Sequence, residues 1–255
     1  RWLVNQFDLK GKVALVNGAS RGIGEAIARG LAASGAHVVL TSRRLEGVQE
    51  VADSIIGSGG RATPYACHAG RMEEINRLFD FVNSEFGRLD ILINNAATNP
   101  HYGPASELSP GAFDKTVEVN LKGPYFMSSA AVPLMAKSGG GSIVNIASIA
   151  ALIPLPGQAV YSMTKAGLIS LTRSFAKEYG QQGIRANAVL PGVVKTRFAS
   201  ALVEDPAIQK WLSRLPVPRA GQPEDMVAGV LFLVSEQAAY TTGTTLVMDG
   251  GATLG

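Results

Sequence analysis

With Cys67 as its single cysteine in 255 residues, the chain cannot close a disulfide on itself, which fits a reducing compartment. Histidine is also scarce: three residues, widely spaced, offer no metal-ligand pattern, so no metal is expected. No apolar run reaches the roughly 18 residues that a membrane-spanning helix needs, and the start "RWLVNQFDLKGK" lacks the apolar segment of a secretory signal. The tail "GATLG" is neither a prenylation box nor a peroxisomal address. No run of about five like charges occurs, and Arg43-Arg44 is the only Arg-Arg pair, so a net charge of +3 gives little support to nucleic-acid binding. Ser20, Ser148 and Ser162 are not expected to form a serine nucleophile elbow. These absences point to a cytoplasmic protein with no membrane or nucleic-acid partner. The chain begins at Arg1 rather than Met, so further residues are expected to precede it.

What is abundant is apolar: 46% hydrophobic against 17% charged residues describes a filled globular core. Short runs rich in Val, Ile and Leu recur at Val13–Asn17, His37–Thr41, Arg61–Ala66, Asp90–Asn94, Ser142–Ala147, Ile184–Leu190 and Thr245–Met248. Helical spacing fills the intervals near 22–34, 46–57, 71–86, 109–119, 123–137, 158–179 and 223–235. Such alternation predicts an α/β fold, with a doubly wound parallel sheet of about seven strands and helices on both faces. Runs without polar alternation, "VALVN" and "ILIN", agree with strands buried on both sides. No linker divides the chain, so residues 1–255 are expected to form one domain. The segment 191–222, with four prolines, Phe198 and Trp211, is the long connection expected to act as a substrate lid.

The first strand runs into "NGASRGIGEAIARG", where Gly18, Gly22 and Gly24 form G-x-x-x-G-x-G. Glycine there allows a tight turn, close approach of a pyrophosphate and close helix–strand packing, and the helix after it aims free N–H groups at an anion. Gly18, Ser20, Arg21, Gly22, Ile23 and Gly24 are therefore expected to bind a dinucleotide. The second strand ends in "TSRRLEG", with no acid at its tip. Ser42 and Arg43 stand there instead; together with Arg21 they suit a ribose 2′-phosphate, favouring NADP(H) over NAD(H).

In "YSMTK", Tyr161 and Lys165 stand one helical turn apart. A tyrosine near its ordinary pKa of about 10 needs roughly 3–4 kcal/mol of preferential phenolate stabilisation to exchange protons near neutral pH. A cation at i+4 is expected to supply part of that by lowering the phenol's pKa. Ser148 lies just past the strand "SIVNIAS", and "NNAATNP" and "TVEVNLKGP" bring Asn94, Ala96 and Asn120 to the same carboxyl edge of the sheet.

The ordered set of G-x-x-x-G-x-G, "NNAA", Asn120, Ser148, Tyr161/Lys165 and "PGVVKT" resembles the short-chain dehydrogenases/reductases over nearly the whole chain. The resemblance implies a Rossmann-like domain of seven parallel strands, commonly a tetramer, that moves hydride between a nicotinamide and an alcohol/carbonyl pair. It implies Tyr161 as proton donor and acceptor, Lys165 as the group that lowers its pKa and binds the nicotinamide ribose, and Ser148 as the hydrogen-bond partner of the substrate oxygen. Asn120 is similar to the family asparagine that holds a water beside the lysine. Asn94 and Ala96 fall where the family borders the cofactor, and Pro191, Gly192, Val194 and Thr196 resemble the stretch contacting the carboxamide. Asn17 stands where threonine is common, Ala97 where glycine is usual, and His68 where an aspartate often meets the adenine. "TSRR", "ACHAG" and "NNAATNP" are similar to NADPH-dependent carbonyl and retinal reductases. The expectation is an NADP(H)-dependent oxidoreductase acting on a small apolar carbonyl or alcohol, as a homotetramer. The alternatives are a 3-oxoacyl thioester reductase and a non-catalytic nucleotide-binding regulatory protein.

Overall fold

The computed structural model describes residues 7–254. Seven parallel strands, β1 (Val13–Asn17), β2 (His37–Ser42), β3 (Arg61–Ala66), β4 (Ile91–Asn94), β5 (Gly141–Ile146), β6 (Ile184–Pro191) and β7 (Thr245–Met248), form one sheet in the order β3-β2-β1-β4-β5-β6-β7. The helices α1 (Gly22–Ala33), α2 (Leu45–Gly57), α3 (Met72–Phe86), α4 (Pro110–Val117), α5 (Gly123–Lys137), α6 (Ala159–Tyr179), α7 (Ser200–Glu204), α8 (Pro206–Leu212) and α9 (Val227–Val234) follow the strands.

Alternate residues of one strand feed two separate cores. Val13 and Leu15 of β1 pack with Leu78, Met127 and Phe175 from the α3, α5 and α6 side. Ala14 and Val16 pack with Ile27, Val51 and Val230 from the α1, α2 and α9 side. Burial on both faces explains why these strands are apolar throughout. The chain walks outward from β1 to β3, then returns to β4 on the other side of β1. The strand order therefore reverses between β1 and β4, and the crevice at their carboxyl ends is where ligands of such sheets bind.

The expected strands are all present, with ends shifted by a residue. Asp90 stays outside β4 because its carboxylate accepts the Val13 N–H and pairs with Arg88. Helical spacing separated 109–119 from 123–137, whereas α4 and α5 are joined by a π-helical turn, Glu118–Lys122, that carries Asn120. Inserted π turns are frequently found where a helix must re-aim a side chain or carbonyl. The 191–222 connection is pinned at its neck: Gly221 donates to the Val193 carbonyl and accepts from the Lys195 N–H. It holds the two short helices α7 and α8, so it is more ordered than its weak periodicity suggested.

Candidate active site

At the switch point the backbones of two elements nearly touch. A Cβ added at Gly18 would lie 2.8 Å from the Ala96 Cα, and one at Gly24 would collide with the Gly18 carbonyl. The loop is held by the Thr41 carbonyl, which accepts from the N–H groups of both Gly18 and Ala19, and by the Asn95 amide, which donates to the Gly18 carbonyl at 2.8 Å. Gly22 turns the chain into α1 at φ +59°, with Thr196 against it: an added Cβ would sit 3.1 Å from the Thr196 methyl. No side chain caps α1, whose N-cap residue is Arg21, so its first N–H groups remain available to an anion. Ile23 enters the first turn half-buried.

Ser20 packs on Gly47 at the start of α2, which brings the glycine loop beside the tip of β2. Ser42 donates its hydroxyl to the Arg44 carbonyl, shaping that tip. Arg21, Arg43 and Arg44 are exposed and, among the described residues, none forms an ion pair with a carboxylate. Unpaired guanidiniums beside a bare helix N-terminus and a glycine cradle fit an adenine dinucleotide carrying an extra phosphate. His68 is committed elsewhere: its Nδ1 accepts from the Gly70 N–H and its Nε2 lies 2.9 Å from the Lys115 Nζ.

The β5 and α6 side of the crevice carries the titratable groups. Ser148, half-buried, accepts the Ala150 N–H at 3.1 Å. Tyr161 is buried, with the Lys165 Nζ 5.6 Å from its ring centroid, and that Nζ donates to the Ile146 carbonyl at 2.7 Å. Burial dominates both groups. It pushes the phenol up to about 12, against a hydrogen bond with Ser148 that pulls it down, and brings the ammonium down to about 7. The expected acidification of Tyr161 by Lys165 is thus reversed in the chain by itself, because burial sets the direction.

Asn120 is buried in the π turn that joins α4 to α5. Its carboxamide brackets the Thr98 peptide, accepting from the N–H at 2.8 Å and donating to the carbonyl at 2.9 Å. It donates as well to the Thr164 hydroxyl, which itself donates to the Tyr161 carbonyl. Asn94 turns its side chain inward, donating to Ser128 and to Asn145. Asn95, on the other side of the strand, is the one that reaches the glycine loop; alternation along a strand separates these neighbours. Neither Thr164 nor Thr98 stood out in the sequence, since a hydroxyl bridging helix to loop has no spacing signature. Gly192 abuts Asp249, Val194 is buried, Pro191 ends β6, and Thr196 caps the following turn by accepting the Ala199 N–H.

The family model described as Enoyl-(Acyl carrier protein) reductase matches residues 18–253. The human protein "Dehydrogenase/reductase SDR family member 4" is 42% identical over 244 residues, covering 95% of this chain and 88% of that protein. A crystal structure of a gluconate 5-dehydrogenase from Burkholderia cenocepacia, in complex with NADP and tartrate, superposes with a TM-score of 0.94 at 32% identity, covering 98% of each chain. A short-chain type dehydrogenase/reductase from Mycobacterium marinum superposes with a TM-score of 0.92 at 34% identity, again covering 98% of each. By sequence along nearly its whole length and by fold, the chain belongs to the short-chain dehydrogenase/reductase family of oxidoreductases.

Proposed function

We propose that the protein transfers hydride between NADP(H) and an apolar ketone or aldehyde, or the matching secondary alcohol, with Tyr161 as the general acid and base. The observation that carries this reading is the burial of a phenol and an ammonium one helical turn apart beside Ser148, at the crevice the glycine loop shares. NADP(H), when bound, supplies the hydride donor or acceptor. Its phosphates would be held by the glycine loop from Gly18 to Gly24, its 2′-phosphate by Ser20, Arg21, Ser42 and Arg43, and its nicotinamide end by Ala96, Asn94 backbone, Lys165 and the stretch from Pro191 to Thr196.

The residues divide the proton work. A phenol held near 12 is fully protonated at neutral pH, the form that donates to a carbonyl oxygen during reduction. Once it has donated, Tyr161 carries negative charge, and Lys165, poised near 7, takes up a proton and becomes its cation. Ser148 donates to the oxygen as charge develops there, in the manner of an oxyanion donor. Asn120 holds the first turn of α6 and the Thr98 loop in register, so it positions Tyr161.

The substrate side is apolar. From Ser148 to Tyr161 the sequence "SIAALIPLPGQAVY" has no charged residue, and Leu152 and Ile153 are half-exposed. This supports an apolar substrate rather than a sugar acid, with the 191–222 connection as its lid. The exposed Phe113, Tyr125 and Met163 support a homotetramer, checked by light scattering. No helix among the described residues is long and apolar enough to cross a membrane. The description of the matching family model favours a second reading, reduction of a 3-oxoacyl or enoyl group carried on a thioester. NADPH absorbance followed with ketones, diketones, hydroxysteroids and 3-oxoacyl- and enoyl-pantetheine thioesters tests both. Oxidation with the ketones supports the first reading and oxidation with the thioesters alone supports the second. Tight nucleotide binding without turnover of any substrate would mean a regulator.

A further inference from the structure

The 191–222 connection meets Tyr161 at Phe198. Phe198 lies with its ring centroid 5.9 Å from that of Tyr161, tilted by 36°. It sits on the short 3-10 turn Arg197–Ala199, capped by Thr196, whose methyl packs against Gly22 of the glycine loop. The turn is therefore fixed at both ends, by the glycine loop and by the phenol. Yet 56% of Phe198 is exposed. A large apolar ring fixed in place but left open to solvent has a face available for contact. At 5.9 Å the rings are already in contact, so no planar group fits between them. A group approaching the Tyr161 ring from that side meets the Phe198 ring.

We propose that Phe198 is a specificity-determining residue: its exposed ring walls the approach to the Tyr161 phenol and selects carbonyls with an apolar group beside the reacting carbon over hydroxylated ones. The proposal rests on the reading of Tyr161 as the acid/base. The segment after Ser148 agrees, since Ile149, Leu152 and Ile153 carry no charge. Lys195 and Arg197 flank the ring and are exposed, the feature by which a carboxylate-bearing substrate would instead be received. Covering one face of the phenol also contributes to the burial that keeps Tyr161 protonated.

The test compares NADPH-dependent reduction of 2-octanone with that of dihydroxyacetone and 5-ketogluconate, in the wild type, Phe198→Ala, Phe198→Leu and Tyr161→Phe. In Phe198→Ala the kcat/KM ratio of 2-octanone to dihydroxyacetone should fall by about tenfold or more, mainly through KM, with Phe198→Leu intermediate. The basic limb of the kcat profile should move to lower pH in Phe198→Ala, as water reaches the phenol. NADPH affinity and the thermal midpoint report folding, and both should stay at wild-type values. An unchanged ratio in a folded Phe198→Ala variant, or a wild-type preference for 5-ketogluconate, overturns the proposal. A fully active Tyr161→Phe variant overturns the acid/base reading instead, so the two failures are told apart.

Discussion

The two ends of the crevice are built on opposite electrostatic plans. At the glycine loop, backbone N–H groups and the exposed, unpaired Arg21 and Arg43 stand ready for a polyanion. Beside Tyr161 the segment after Ser148 is apolar, and Lys165, one helical turn away, is buried with its pKa brought down to about 7. One end recognises by charge in water, where guanidiniums keep their protons at any physiological pH. On the proposed reading the other works through burial, where a small change in charge has a large effect. The difference teaches why a single fold can hold the same cofactor across many substrates: the charged end need not change when the apolar end does.

Breaking the apolar end should have the larger effect. Lys165→Met removes the cation that answers a phenolate, and kcat should drop by about 10²–10⁴-fold with NADPH affinity changing far less. The same variant should be more stable than the wild type at pH 7, because a buried ammonium opposes folding. The sign is fixed by linkage. Between the folded value of about 7 and the unfolded value of 10.5, the unfolded chain binds the extra proton, so wild-type stability rises with pH across that window. Denaturation midpoints at pH 7 and pH 8.5 should therefore separate more in the wild type than in Lys165→Met.

Breaking the charged end should alter preference rather than chemistry. Arg43→Asp replaces a phosphate partner by a hydroxyl acceptor, and the NADPH-to-NADH ratio of kcat/KM should fall by about 10–100-fold with kcat on the better cofactor retained. Equal cofactor use before and after the change would remove Arg43 from the site. Smaller still, Asn95→Ala deletes the amide that holds the Gly18 carbonyl, and should weaken NADPH binding by about 1–2 kcal/mol in a calorimetric titration. Asn94→Ala should instead lower the thermal midpoint, since its partners are Ser128 and Asn145 in the core.

The same division explains what was legible in the sequence. Strand runs, the glycine spacing and the Tyr161/Lys165 pair all follow from local rules, period, turn chemistry and helical i+4 geometry, and all appear at the expected places. What depended on tertiary contact was not legible. Asn95 rather than Asn94 supports the glycine loop, although strand alternation held the clue. The Asn120–Thr98–Thr164 knot joins three elements distant in sequence, and the π turn that presents it interrupts what reads as two helices. The direction of the Tyr161 shift was misjudged because burial, which no spacing reveals, outweighs the neighbouring lysine.

The most direct test of proton exchange at Tyr161 is the kcat for NADPH-dependent ketone reduction by Tyr161→Phe, with NADPH affinity measured on the same sample. We expect affinity within about twofold of wild type and kcat lower by roughly 10³-fold or more. A wild-type kcat in that folded, nucleotide-binding variant would contradict the assignment of the phenol as the acid.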